Sequence, residues 1–365
     1  MLRTASLALA LVGLVAPTAL AQTAERAGLG LQLKAGDQLR YKLTWALDQK
    51  MNLGGQEMPQ ALEVECALDQ RVKAFDNGVA TIEATITAVR ARLGLGPFGD
   101  MDYDTAAPQD EANPFAWIRE AVGKSFQFKL KTTGEVLEVT GGDAIRDRMM
   151  AVLEEKAARQ QGGGGGGMGG MGMGMGMDPG MLTAQAVVVF ADESMKSALG
   201  VLNHVLPDTG AAKEGDAWER PIAEKIPSLG TLSFTSRITH RGGAGSAVRL
   251  AWQASDEVQL RRDQGGRGSD DPREQMAREM QRQLTDKLEV KRKAVSGTVS
   301  FDAAAGRIID SEATHRIDME GPLPPMLAGM MGPEGKNAKM KQDVVLTLRY
   351  VRVDGAAPAQ GGGRF

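Results

Sequence analysis

The sequence predicts a mainly β (α+β) protein: two similar antiparallel curved sheets with a few helices, related by internal duplication. Three observations lead there. Apolar and polar residues alternate with period two over many short segments. Gly-Asp, Asn-Gly and Gly-Gly pairs punctuate those segments at hairpin spacing. A tract at residues 162–181, GGGGGGMGGMGMGMGMDPGM, divides the chain into halves that repeat the same order of signals.

The first residues read as a targeting segment. Arg3 supplies a positive start, residues 7–15 form an apolar core too short to span a bilayer, and Ala19-Leu20-Ala21 fits a small-x-small cleavage site. Residues 1–21 are therefore expected to be a signal peptide, and the product to be exported to the periplasm or beyond. No cysteine follows the cleavage point, so a lipid anchor is not expected, and no later stretch reads as a transmembrane segment.

Lys and Arg number 43 against 46 Asp and Glu, a formal net charge of −3. That balance leaves no electrostatic footprint for nucleic acid and no polybasic membrane patch. Arg261-Arg262 and Lys291-Arg292-Lys293 are interleaved with acids and read as solvated faces. The single cysteine, Cys66, excludes an intramolecular disulfide and lies in phase with the apolar side of its segment, as a buried, inert thiol does. Stability must come from burial.

The first half, residues 22–161, is expected to be an antiparallel β lobe with a helix. After the turn Gly36-Asp37, the apolar Leu39, Tyr41, Leu43, Trp45 and Leu47 alternate with polar residues. Residues 62–68 repeat the pattern, Asp76-Asn77-Gly78 turns the chain, and Ala80, Ile82, Ala84, Ile86 and Ala88 return it. An insertion over 94–123 holds a short helix at 114–122 with proline near its start. Phe126, Phe128 and Leu130 resume a strand, Thr133-Gly134 turns, and residues 136–139 pair back. Residues 143–161 read as an amphipathic helix.

Residues 162–181 have too much backbone freedom and too little side chain for a helix, strand or core, and are expected to link the lobes. The second lobe, residues 182–354, opens with a mostly helical segment over 184–206 closed by Pro207. Lys213-Glu214-Gly215-Asp216-Ala217-Trp218 then echoes Lys34-Ala35-Gly36-Asp37-Gln38-Leu39. Leu232, Phe234, Ser236 and Ile238 form a strand, Gly242-Gly243 turns, and Val248, Leu250 and Trp252 return. A charged insertion holds an exposed helix at 271–286. Residues 297–302 and 307–319 mirror 123–139. A last strand at 344–353 precedes a disordered tail, residues 355–365.

Gly36-Asp37 before an aromatic strand resembles a known pattern. So do Gly123-Lys124-Ser125-Phe126 with Gly134-Glu135-Val136, and Pro207-Asp208 before Gly215-Asp216-Ala217-Trp218. Gly297-Thr298-Val299-Ser300-Phe301-Asp302 with Gly306-Arg307 completes it. Together they are similar to an uncharacterised family of exported bacterial β-rich proteins, a domain of unknown function. The resemblance implies a β-rich fold; it brings no activity, catalytic residue or cofactor.

Four groups of residues invite a chemical reading. Met168, Met171, Met173, Met175, Met177 and Met181 offer soft thioethers suited to Cu(I), though glycine spacers impose no geometry and a low-complexity linker is the simpler reading. Asp100, Asp102, Asp104 and Glu111 have the one-three-five-twelve spacing of a calcium loop, but Thr105 stands where the sharp turn wants glycine. Gly94-x-Gly96-x-x-Gly99 fits a dinucleotide fingerprint only formally, with Pro97 inside it. His204, His240 and His315 are scattered and read as structural or surface histidines. No catalytic, cofactor-binding or metal residue is therefore assigned.

An apolar loop from Pro322 to Gly332, with Met326, Met330 and Met331, either plugs its own β layer or forms a contact surface. The expected function is that of an exported, non-catalytic binding or scaffold protein whose partner is a protein or an apolar ligand. One alternative is a carrier of lipid or another apolar ligand in a half-barrel cavity lined by Trp45, Phe128, Phe234 and Trp252. Another is Cu(I) binding by the methionine tract.

Overall fold

A computed structural model describes residues 27–53, 55–96, 99–108, 110, 113–162, 186–226, 229–261, 288–323 and 338–353. The leader, nearly all of the methionine tract, Glu111, the 271–286 helix, most of the 322–332 loop and the tail lie outside the described residues.

The first half contributes β1 (Ala27–Gly28), β2 (Gln38–Leu53), β3 (Gln56–Asp76), β4 (Val79–Gly94), β5 (Asp100–Asp104), β6 (Ser125–Lys131) and β7 (Val136–Thr140). A 3-10 helix, Ala116–Ala121, precedes β6, and helix α1 (Gly142–Gly162) follows β7. After α2 (Asp192–Asn203) come β8 (Ala211–Ala212), β9 (Ala217–Ile226), β10 (Gly230–Ala244), β11 (Ala247–Ala254) and β12 (Gln259–Arg261). The chain closes with β13 (Glu289–Asp302), β14 (Arg307–Pro322) and β15 (Lys339–Arg352).

The expectation of two sheets needs correction. Apart from the small β1–β8 pair, all strands join one 13-stranded antiparallel sheet, in the order β12-β10-β11-β13-β14-β15-β2-β3-β4-β6-β7. β5 adds to β4, and β9 to β10. The joint between the halves is the pairing of β15 with β2, in register from Met340↔Leu53 to Arg352↔Tyr41. Each half alone would present a long edge there, and pairing the two edges satisfies both rows of backbone groups. At the joint, Tyr41 and Tyr350 stack with ring centroids 4.1 Å apart.

Local sequence explains the strands and turns. In β4, burial alternates along Ala80, Ile82, Ala84 and Ile86, as period-two patterning requires. Asn77 and Gly78 both take positive φ (+49° and +77°) and join β3 to β4 directly, the two-residue turn that Asn-Gly favours. Register shifts interrupt β3–β4, β10–β11 and β13–β14, and such bulges bend and twist a sheet.

The two turns singled out as echoes are built alike. Asp37 N donates to Lys34 O (3.0 Å) and Lys34 N to Asp37 Oδ2 (2.9 Å), with Gly36 at φ +92°. Asp216 N donates to Lys213 O (3.1 Å) and Lys213 N to Asp216 Oδ2 (2.8 Å), with Gly215 at φ +89°. The first turn exchanges backbone hydrogen bonds with Val72 of β3, the second with His240 of β10.

The mostly helical segment expected over 184–206 has one break among its described residues. A single turn at 186–188 leads through Val189 and Phe190 into α2, which ends at Asn203. α2 packs against β7 and β9, each paired on one side only, and against β14 and β15 in the middle of the sheet. The sheet therefore bends around this helix, and the helix lies between its edges. Leu29, Leu31 and Leu33 are buried too, and their segment donates to Gly210, Thr132 and Gly306 carbonyls, tying together the ends of three separate connections.

Candidate functional site

The inward face of the curved sheet and the helix that covers it form the candidate site. Strand alternation aims Leu43 and Trp45 (β2), Val64, Cys66 and Leu68 (β3), Phe126 and Phe128 (β6), Phe234 (β10) and Trp252 (β11) to one side, where all are buried. The four aromatic residues expected to line a half-barrel, Trp45, Phe128, Phe234 and Trp252, are thus inward, and Phe234 stacks on Trp252 with centroids 6.3 Å apart. Met195, Leu199 and Leu202 of α2 belong to the same core. Cys66 is fully buried, and burial followed by the charge of Glu65 pushes its thiol pKa well up, away from thiolate chemistry.

Both ends of α2 are held by polar groups from other elements. Asp192 Oδ1 accepts from the backbone N–H of Gly142 (2.6 Å) and Asp143 (3.3 Å), while Asp143 Oδ1 accepts from Asp192 N (3.3 Å). The N-termini of α1 and α2 are thereby capped by each other's aspartates. At the far end, Ser311 of β14 donates to Leu202 O (2.7 Å). From β9, Trp218 Nε1 donates to Val205 O (3.1 Å), and Arg220 Nε and Nη2 donate to Leu206 O (3.1 and 2.7 Å). Lys225 N of the same edge donates to Ser197 Oγ in α2 (2.7 Å). Gly134, at φ +85°, lets the Asn203 carbonyl approach the β6–β7 turn where a Cβ would collide with it.

The three histidines are buried rather than superficial. His204 Nδ1 lies 2.6 Å from Val201 O, so it carries the proton and donates, and Nε2 accepts from Ser236 Oγ at 3.0 Å. Its ring meets Trp252 edge-on at 4.9 Å. Burial, with a smaller push from the Arg220 charge and against the Val201 hydrogen bond, lowers its pKa to about 4. Ser236 is fully buried, so the pair serves to fasten the end of α2 to β10. His315 Nε2 is 2.7 Å from Glu224 Oε2, joining β14 to β9 across the interior. Glu224, Ser236 and Ser311 carry no motif; only their inward phase in a strand marks them.

The calcium-spaced aspartates adopt another role. β5 is an extended strand on which Asp102 pairs with Arg90 (2.9 Å) and Asp100 with Arg92 (3.0 Å), neighbours on β4. The hydrogen bond from Arg90 holds the Asp102 carboxyl below its usual pKa. Asp104 Oδ1 instead accepts from Ala106 N (2.8 Å). Gly96 and Gly99 sit in the β4–β5 connection, with Leu95 N donating to Gly99 O. At the base of the apolar loop, Leu323 is buried and donates to Ala338 O (3.1 Å).

No curated protein matches the chain by sequence. Among solved structures, one described as "Lipid-protein interactions in lipovitellin" is similar over 91% of this chain at 9% identity, with a TM-score of 0.42. The chain spans 27% of that molecule's length. The outer membrane protein OprG of Pseudomonas aeruginosa is similar over 88% of this chain and 98% of its own, at 7% identity and a TM-score of 0.19. Neither superposition is close enough to transfer a fold or a role. Residues 77–163, from the β3–β4 turn to the end of α1, match the model of a family of unknown function, DUF6263, in agreement with the resemblance to an uncharacterised domain.

Proposed function

We infer that the protein is an exported, non-catalytic carrier of an apolar ligand, which occupies the inside of the curved sheet in place of α2. One observation carries the reading: α2 lies on the apolar face of an unclosed sheet, seated between its two edge strands, β7 and β9. A second sheet would make that core permanent. An amphipathic helix packed on a sheet can move as a unit.

The scaffold reading has less support. Among the described residues, the large apolar side chains left exposed are Phe75 and Val188, well short of the several hundred Å² that an apolar docking surface needs. Cu(I) binding would rest on methionines outside the described residues. The matched turns at Gly36-Asp37 and Gly215-Asp216 support a duplicated ancestry, with β2-β3-β4-β6-β7 answering β9-β10-β11-β13-β14.

The test is a native mass spectrum of the protein purified gently from its exported compartment, followed by titration of delipidated protein with N-phenyl-1-naphthylamine. An added mass of lipid size and saturable probe uptake are expected. A bare chain mass together with no uptake would overturn the carrier reading.

A further inference from the structure

The C-terminal end of α2 is held to the sheet by a group that can change its charge. His204 directly follows Asn203, the last residue of α2, and is only 5% exposed. Its Nδ1–H donates to Val201 O in the last turn of the helix (2.6 Å), and Nε2 accepts from Ser236 Oγ of β10 (3.0 Å). The ring is therefore neutral where it sits, one nitrogen donating to the helix and the other accepting from the sheet. Trp252 of β11 meets it edge-on at 4.9 Å. Protonation upsets this fit twice. A second N–H leaves the fully buried Ser236 hydroxyl without the acceptor it uses, and it places a positive charge in an apolar interior.

The charged and titratable groups of the surrounding elements do not relieve that cost. From β9, Arg220 supplies a positive charge that itself opposes protonation of the ring, and its guanidinium is engaged by Leu206 O and Asp208. Glu224, also on β9, is turned to His315 of β14 at 2.7 Å. His240 lies two inward positions further along β10. β15 presents Tyr350, whose Oη accepts from Gln70. Glu138 of β7 is exposed and pairs with Lys129, and Asp143 of α1 caps the opposite end of α2.

We propose that His204 is an acid-operated latch on α2: the neutral ring holds the helix on the curved sheet, protonation lets the helix lift, and the carrier exchanges its cargo faster as pH falls. The latch rests on the carrier reading above. Burial lowers the pKa of the seated ring from 6.5 to about 4, and a ring carried into water by the lifting helix regains the ordinary value. Below pH 6.5 lifting therefore takes up a proton, and the open fraction rises as pH falls towards 4. Between about pH 7.5 and about pH 5 the opening equilibrium should rise about thirtyfold. Arg220 adds to the effect, since its charge repels the imidazolium only while the helix is seated.

The experiment follows hydrogen exchange of the α2 amides in the full chain at those two pH values, with intrinsic exchange divided out, beside stopped-flow uptake of N-phenyl-1-naphthylamine. α2 should be less protected than β3 at each pH, the mark of a local opening, and its protection should fall about thirtyfold at the acid value. Probe uptake should quicken in step. His204→Gln, whose amide takes up no proton, should flatten both pH dependences, while the wild-type profile stands as a test even if that variant does not fold. Three results would overturn the latch: α2 protection that ignores pH, an acid loss that persists in His204→Gln, or α2 and β3 losing protection equally. Probe uptake alongside any of these would leave the carrier standing without its latch. An α2 that opens in acid only when His204 is present, with no probe uptake at either pH, would keep the latch and overturn the carrier.

Discussion

At the scale of single residues, the buried polar groups matter most, because each is fixed by geometry that burial makes expensive to change. His204 is the clearest case. Its neutral ring donates to Val201 O and accepts from Ser236 Oγ, and burial lowers its pKa from 6.5 to about 4. A depressed folded-state pKa contributes stability that is fully present above the unfolded value and is lost as pH falls through the window between the two. Between pH 6.5 and 4 the unfolded chain binds a proton that the folded chain refuses. Over that window this group alone should cost about 3 kcal/mol of stability. Urea unfolding at neutral pH and at the acid end should therefore show a steeper loss for wild type than for His204→Gln. Equal slopes would mean that another group excludes the proton. His204 was visible in the sequence only as a helical histidine; its partner Ser236 is 32 residues away, and nothing local announces the pair.

At the scale of elements, the strands were legible and the helix that gives them purpose was only half so. Alternation located β2, β4, β10 and β11 because each buries one face, and the Asn-Gly and Gly-Asp turns sit where expected. β5 is hidden inside the 94–123 insertion, since Asp-x-Asp-x-Asp looks polar when every inward position is skipped; Tyr103 is its one buried residue. The stretch containing α2 reads as mostly helical, and the place of its break is hidden because the turn at Val189 and Phe190 is as apolar as the helix itself. If α2 is the movable cover, its contacts with β9 set the opening equilibrium. Arg220→Ala removes two hydrogen bonds to Leu206 O and the pair with Asp208. That loss should destabilise the closed arrangement by about 1–3 kcal/mol. Stopped-flow uptake of N-phenyl-1-naphthylamine should then run about tenfold faster than in wild type. A lower melting temperature without faster uptake would show that α2 is a structural plug and that ligand enters elsewhere.

At the scale of the whole molecule, the decisive contact is one the sequence has no local means of announcing. β15 and β2 are separated by nearly the whole chain, yet they pair from Tyr41 to Leu53 of β2, and Tyr41 donates across the joint region to Ile308 O (3.1 Å). Each half reads as a complete meander, so the natural expectation is two sheets. Only the long unpaired edges that such sheets would leave argue for fusion. A sheet continuous through both halves should unfold as one cooperative unit, because losing either half strips the other of a neighbouring strand and of its share of α2. Single-tryptophan versions test this, one retaining Trp117 in the first half and one retaining Trp252 in the second, with the other tryptophans changed to Phe. In each version the fluorescence transition in urea should coincide with the loss of far-ultraviolet dichroism. A Trp252 transition that precedes the dichroism change would mean that the second half opens while the first stays folded. The β15–β2 joint would then be a hinge between lobes, and the ligand would enter by separation of the halves rather than by displacement of α2.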